Sequence, residues 1–254
     1  KRLQFPLTDV IFSGPAEKLK KTENTQPALL TTSIAILSAL KEHGVSADYV
    51  AGHSLGEYSA LVAAEAMSFE DAVYTVRKRG LFMEEAVPSG EGAMAAILGM
   101  DREALESVTE EVTANGDLVQ LANLNCPGQI AISGTASGVS KASQLAKEKG
   151  ARRAIPLEVS GPFHSELMKP AAERLKRVLD EMTIENATIP VIANVTAEEM
   201  TKADDIRVKL IEQIYSPVLW EDTIKKLLEL NVDTFVEIGP GTVLSGLVRK
   251  VNRN

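Results

Sequence analysis

A serine stands between glycines in Gly52-His53-Ser54-Leu55-Gly56, after the apolar Tyr49-Val50-Ala51 and before a helix-like run from about Leu55 to Ala66. The pattern reads as a nucleophile elbow. A sharp strand-to-helix turn needs small residues on both sides of the serine, because neighbouring side chains would collide there, and the strain exposes the hydroxyl. Ser54 then stands at a helix N-terminus, where unpaired backbone N–H groups stabilise a developing oxyanion. The chemistry this suits is acyl transfer through a serine ester. With only three fixed positions, the pattern alone also fits an ordinary strand-turn-helix corner.

A serine nucleophile needs a base, and the chain offers three histidines, His43, His53 and His164. His43, before Gly44, sits where a histidine complements a helix C-terminal dipole. His53 neighbours the serine, but consecutive residues at a sharp turn point apart, so it reads as a packing or positioning group. His164, in Ser160-Gly161-Pro162-Phe163-His164-Ser165, is the remaining candidate base, set against the alternative of a satisfied structural histidine.

Composition bounds the setting. The 254 residues, 44% hydrophobic, are enough for one large core or a main core with a smaller companion. One cysteine, Cys126, forms no internal disulfide, and the histidines show no metal-ligand spacing, so no structural metal is expected. No apolar run approaches the roughly 18 residues of a membrane span and no charged-then-apolar leader is present, so no membrane association is expected and the reading is cytoplasmic. A net charge of −8 argues against nucleic acid, whose phosphates require a concentrated basic surface. Arg77-Lys78-Arg79 and Arg152-Arg153 read as solvated faces and, at most, docking elements.

Positioning falls to alternating helices and strands. Pro27 before an apolar run to Leu40, with Gly44 beyond, marks a helix. A strand over 49–51 and the elbow helix follow, then a helix over 69–86 capped by Ser68. From Ala93 the pattern becomes strand 93–98, helix 102–114, strands around 118–124 and 129–133, helix 138–149 and strand 153–159. That βαββαβ order, with Pro127-Gly128 as the hairpin, is a ferredoxin-like subdomain. A helix over 165–182, a buried strand over 190–195, helices near 204–214 and 219–230, a strand over 234–238 and a helix from Thr242 then predict a mostly parallel sheet. The fold class is α/β. Residues 1–89 and 161–254 form the large catalytic domain, and 90–160 the inserted small one, with a cleft between them.

Gly52-His53-Ser54-Leu55-Gly56-Glu57, Arg79-Gly80 with Met83-Glu84-Glu85-Ala86-Val87-Pro88, Asn125-Cys126-Pro127-Gly128-Gln129, Gly161-Pro162-Phe163-His164-Ser165 and Glu237-Ile238-Gly239-Pro240-Gly241 occur in the order seen in malonyl-CoA:acyl-carrier-protein transacylases. The resemblance spans nearly the whole chain and is closer to the stand-alone bacterial type of fatty-acid synthesis than to a polyketide synthase module. It implies an α/β-hydrolase-like body with a ferredoxin-like insertion. It further implies that Ser54 takes malonyl from malonyl-CoA and passes it to the phosphopantetheine thiol of acyl carrier protein, in a monomer without a cofactor. On the same basis, His164 is base and acid, with a near-neutral pKa suited to both directions. The main-chain carbonyl of Gln213 holds the other imidazole nitrogen, and Leu55 supplies an oxyanion N–H. Arg79 binds the free malonyl carboxylate and separates malonyl from acetyl. Phe163 limits room for an α-branch, with core packing as its alternative. Gly239 and Gly241 read as turn glycines.

Members of this family begin with a strand ending in Gly-Gln-Gly-Ser-Gln, whose glutamine supplies a second oxyanion N–H, and that motif is not in this sequence. The expectation is that the natural protein carries a further N-terminal segment, the alternative being a real loss. Three functions stand beside one another. A transacylase, of fatty-acid or polyketide synthesis, fits all the motifs. A serine thioesterase or other hydrolase fits the elbow, but no histidine follows His164 and no His-Gly-Gly-Gly segment is present. A non-catalytic carrier-binding scaffold would have lost its nucleophile or base, and both are here.

Overall fold

The computed structural model describes residues 3–253. Two short helices that sequence reading did not anticipate, α1 (Leu7–Ser13) and α2 (Ala16–Lys20), lead into the long α3 (Thr22–Glu42). The helix expected from Pro27 thus begins earlier, and Pro27 lies inside it. Its first turn survives the loss of the proline N–H because it is anchored from outside: Thr22 N donates to Glu84 Oε1 (2.7 Å) and Asn24 Nδ2 to the Lys18 carbonyl (2.8 Å). The elbow helix α4 (Gly56–Ala63) and α5 (Phe69–Glu85) follow, α5 capped by Ser68 Oγ, which accepts from Asp71 N at 3.1 Å.

The next stretch is β1 (Gly92–Leu98), α6 (Arg102–Ala114), β2 (Val119–Cys126), β3 (Gln129–Thr135), α7 (Ala136–Glu148) and β4 (Arg153–Pro156). The four strands form an antiparallel sheet in the order β2-β3-β1-β4, the topology of a ferredoxin-like unit. Asp101 and Thr135 cap α6 and α7 through Ala104 N (2.8 Å) and Gly138 N (3.0 Å). An apolar cluster including Ile97, Leu105, Val108, Ile132 and Ala142 fills the space between sheet and helices. Register shifts bend β2 between Leu121 and Asn123 and again before Cys126.

The remainder runs through a 3₁₀ turn at Glu166–Met168, α8 (Lys169–Glu181), β5 (Val191–Ile192), β6 (Glu199–Met200), α9 (Ala203–Gln213), α10 (Trp220–Glu229) and α11 (Val243–Val251). A separate core unites α3, α4, α5, α8 and α9 around Leu30, Tyr58, Leu61, Val76, Leu175 and Leu210. Gly80 lets α5 lie directly on α3, since a Cβ there would meet the Thr22 carbonyl at 2.6 Å.

The architecture is α/β, but parallel pairing outside the antiparallel sheet is brief among the described residues. Val50 bridges Val191 in parallel, Val50 N donating to the Pro190 carbonyl (3.1 Å) and Ile192 N to that of Val50 (3.0 Å). The expected strand over 190–195 stops at Ile192 because Asn194 N turns to the Glu57 carboxylate and Ala193–Ala197 closes a turn. Residues 234–238 form no strand. Val236 is 60% exposed there, and the Glu237 carboxylate instead accepts from Leu244 N (3.0 Å) and Ser245 N (2.8 Å), capping α11. Gly239 and Gly241 turn this segment with positive φ. Among the described residues no helix is long and apolar enough to cross a membrane.

Candidate active site

The elbow is built by close backbone approach. Ser54 adopts φ +51°, a left-handed conformation that side chains other than glycine rarely take. A Cβ on Gly52 would fall 1.9 Å from the Gly56 carbonyl oxygen, so only glycine fits. Gly56 is different: nothing lies within 4 Å of a Cβ placed there, so the second small residue is not sterically required. Replacing Gly52 with alanine is expected to destabilise the protein by about 3 kcal/mol or more, since the clash is with backbone, whereas Gly56→Ala stays within about 1 kcal/mol of the parent. Thermal unfolding of the two variants tests the contrast, and equal midpoints would contradict it.

Asn194 holds the elbow from behind, its Oδ1 accepting from Ser54 N (2.7 Å) and its Nδ2 donating to the Gly52 carbonyl (2.8 Å). This side chain substitutes for a neighbouring strand at the point where the chain leaves its β conformation. The Leu55 N–H faces no acceptor among the described residues and stands at the head of α4.

His164 arrives on the segment before the 3₁₀ turn, also with positive φ (+57°), and is 3% exposed. Its Nε2 is 2.8 Å from Ser54 Oγ and its Nδ1 is 2.8 Å from the Gln213 carbonyl. A carbonyl only accepts, so Nδ1 bears the proton and Nε2 is the bare nitrogen that accepts from the serine hydroxyl. Burial, and then the charge of Arg79, push this imidazole down to about 3. The near-neutral value expected from sequence is thus replaced by a histidine that favours its neutral form, because it is buried and shares its site with a cation.

Arg79 reaches the same serine. It lies in a run that reads as a solvated face, yet it is 1% exposed, on the buried side of α5 with Ala72, Val76 and Met83. Its Nη2 donates to Ser54 Oγ (3.0 Å) and to Gln213 Oε1 (2.8 Å), its Nη1 to Gln26 Oε1 (2.7 Å), and its guanidinium lies 5.7 Å from the Tyr58 ring centroid. Among the described residues Nε has no hydrogen-bond partner.

Ser54, His164, Gln213 and Arg79 therefore meet in one hydrogen-bonded cluster, with Leu55 adjoining it. Phe163, next to His164 in the chain, packs both against Met94, Ala122 and Ala131 and against the core around Tyr58 and Met83. Gln26, Glu57 and Asn194 belong to the cluster and were not singled out from sequence. His53 points away, pairing with Asn125 Oδ1 at 2.8 Å and lying 5.5 Å from the Trp220 ring. The antiparallel sheet reaches the site through β2: Leu124 N donates to the Val218 carbonyl and Val218 N to that of Ala122, fastening the segment that follows Gln213. His43 ends α3 as its C-cap residue. Among the described residues no group of three or more His, Cys, Asp or Glu side chains is placed to hold a metal ion.

Residues 1–253 match the acyl transferase domain, and with the α/β fold this defines the class: the protein is an acyltransferase. A malonyl CoA-acyl carrier protein transacylase of Bacillus subtilis is 70% identical over 251 residues, 99% of this chain and 79% of that protein. One from Staphylococcus aureus strain MRSA252 is 45% identical over 252 residues, 99% and 81% of the two chains. The solved malonyl CoA-acyl carrier protein transacylase of Coxiella burnetii superposes with a TM-score of 0.97 at 44% identity, covering 99% of this chain and 80% of that one. A malonyl-transacylase solved in complex with its type II PKS acyl-carrier protein gives 0.96 at 43% identity, covering 99% and 82%. The chain belongs to the malonyl CoA-acyl carrier protein transacylase family.

Proposed function

We propose that this enzyme moves malonyl from malonyl-CoA to the phosphopantetheine thiol of an acyl carrier protein, through an ester on Ser54, in service of fatty-acid synthesis. The observation that supports it most is the meeting of two functions at one atom: Ser54 Oγ lies 2.8 Å from a histidine base and 3.0 Å from a buried guanidinium suited to a carboxylate. In the first half-reaction Ser54 Oγ attacks the thioester carbonyl while its proton passes to His164 Nε2. The C–S bond then breaks, and the same proton leaves with the coenzyme A thiolate. In the second, the carrier thiol attacks the serine ester, its proton passes to His164, and Ser54 Oγ recovers a proton as the acyl group departs.

Arg79 is the ligand of the malonyl carboxylate, the Gln213 carbonyl orients the imidazole, and the Leu55 N–H contacts the oxyanion. Phe163 narrows the space beside the acyl group. No cofactor takes part, and the enzyme works as a monomer in the cytoplasm. Residues 1–89 and 161–254 are the catalytic body and 90–160 the small subdomain. The 70% identity to the Bacillus subtilis transacylase favours this over a hydrolase.

The test is intact-protein mass after mixing the enzyme with equal malonyl-CoA and acetyl-CoA, beside a Ser54→Ala control. A malonyl adduct that the control lacks is the expected result. Free coenzyme A accumulating without an adduct would identify a hydrolase instead.

A further inference from the structure

Glu57 is 1% exposed and lies one turn along α4 from the nucleophile, yet the acyl-transfer steps make no direct use of it. Among the described residues its carboxyl oxygens meet two donors: Asn194 N–H reaches Oε1 at 2.9 Å and Gln213 Nε2 reaches Oε2. A protonated carboxyl would need an acceptor for its own hydrogen, so this is the environment of a carboxylate.

The consequence passes through Gln213. A side-chain amide has one donating and one accepting end. Gln213 Nε2 is held by the Glu57 carboxylate and by the Ser54 carbonyl (2.9 Å), with Asn194 Oδ1 at 3.3 Å, which leaves Oε1 to receive Arg79 Nη2 at 2.8 Å. Turning the amide over would set its NH₂ against the guanidinium, donor against donor.

We propose that Glu57 is a positioning residue for acyl selection: its carboxylate locks the Gln213 side-chain amide in the orientation that presents Oε1 to Arg79, and so fixes the guanidinium beside Ser54. This rests on the reading of Arg79 as the malonyl carboxylate ligand. A glutamine at 57 keeps the size but presents one NH₂, which must face either Asn194 N–H or the Gln213 donor end. The amide chain then loses its single orientation, and the effect falls on the substrate that depends on Arg79.

Protonation should act as the glutamine does. Burial pushes Glu57 up to about 7, against the hydrogen bonds from Asn194 and Gln213 and the charges of Arg79 on α5 and Lys209 on α9, while Tyr58 on α4 adjoins it. The malonyl preference is therefore full above that value and declines below it.

The experiment compares initial rates of Ser54 acylation from malonyl-CoA and acetyl-CoA by rapid-quench intact mass, from pH 6 to 8. Glu57→Gln is expected to lower the malonyl-to-acetyl ratio about 10- to 100-fold, the scale of a hydrogen bond to a charged group, and to flatten its dependence on pH. A purely structural role would lower both rates together and leave the ratio intact, so an unchanged ratio overturns the proposal. If Glu57→Gln does not fold, Gln213→Leu, which keeps the main-chain carbonyl against His164, reads the same link: a fallen ratio is expected and an unchanged one overturns it. Arg79→Ala separates the two levels. If that variant keeps the wild-type ratio, the carboxylate-ligand reading fails. If it loses the ratio while Glu57→Gln keeps it, only the role of Glu57 fails.

Discussion

Replacing His164 with alanine is expected to slow Ser54 acylation by about 10³- to 10⁴-fold, the upper range for general-base catalysis by a positioned side chain. The hydroxyl has a second neighbour, Arg79 Nη2 at 3.0 Å, but a guanidinium only donates and takes no proton from serine. Rate remaining in the variant would come from the head of α4. Rapid-quench intact mass after addition of malonyl-CoA measures it, and near-normal acylation would remove His164 from its role as base. The same imidazole sets an expectation for the wild type. With its pKa pushed down to about 3, it is neutral at every ordinary working pH. A group that acts as a base is lost only as pH falls through its own pKa, so acetyl-CoA acylation should show no histidine inflection between pH 5 and 8. An acid limb near the usual histidine value would show that the imidazole is wetter than its 3% exposure implies.

The parts of this site legible in sequence are those whose chemistry demands a residue type at a fixed spacing. Gly52 and Ser54 announce the elbow because only glycine tolerates a backbone oxygen at the distance found here. The order of the βαββαβ unit is legible because its helices are amphipathic and its caps, Asp101 and Thr135, are local, although the last strand, expected over 153–159, stops at Pro156 where its pairing with β1 ends. Gln26, Asn194 and Glu57 escaped because neutral amides and a lone carboxylate have no spacing rule. Their partners are 53, 140 and 156 residues distant. A signal existed for one of them, since Asn194 interrupts an apolar run; the burial of Arg79 was legible too, because it falls on the same helical face as Val76 and Met83, where a charge is out of place unless partnered. Residues 234–238 show why an apolar stretch is not by itself a strand. No neighbouring strand among the described residues supplies hydrogen bonds, and the segment instead lends Glu237 to cap α11.

Arg79→Ala is expected to lower the rate of acylation from malonyl-CoA by about 10²- to 10³-fold while changing that from acetyl-CoA less than about 10-fold. The asymmetry follows from what each acyl group leaves unpaired. A malonyl carboxylate entering a buried site without its guanidinium becomes an uncompensated charge, a cost of several kcal/mol for pairs of this kind. Acetyl brings no charge and loses only the influence of Arg79 on Ser54. The substitution also acts on the base. The Arg79 charge is the second largest cause of the lowered His164 pKa, after burial, so its removal lets the imidazole rise toward its usual value. The acid limb of acetyl-CoA acylation should therefore shift to higher pH in the variant. By the same electrostatics, on the proposed binding of malonyl to Arg79, the carboxylate would offset the guanidinium charge felt by His164 and raise the basicity of the imidazole. Competition of the two thioesters for the enzyme, followed by intact mass across pH, measures both effects at once. Equal losses for malonyl and acetyl would assign Arg79 to holding Ser54 and Gln213 in place rather than to choosing the acyl group.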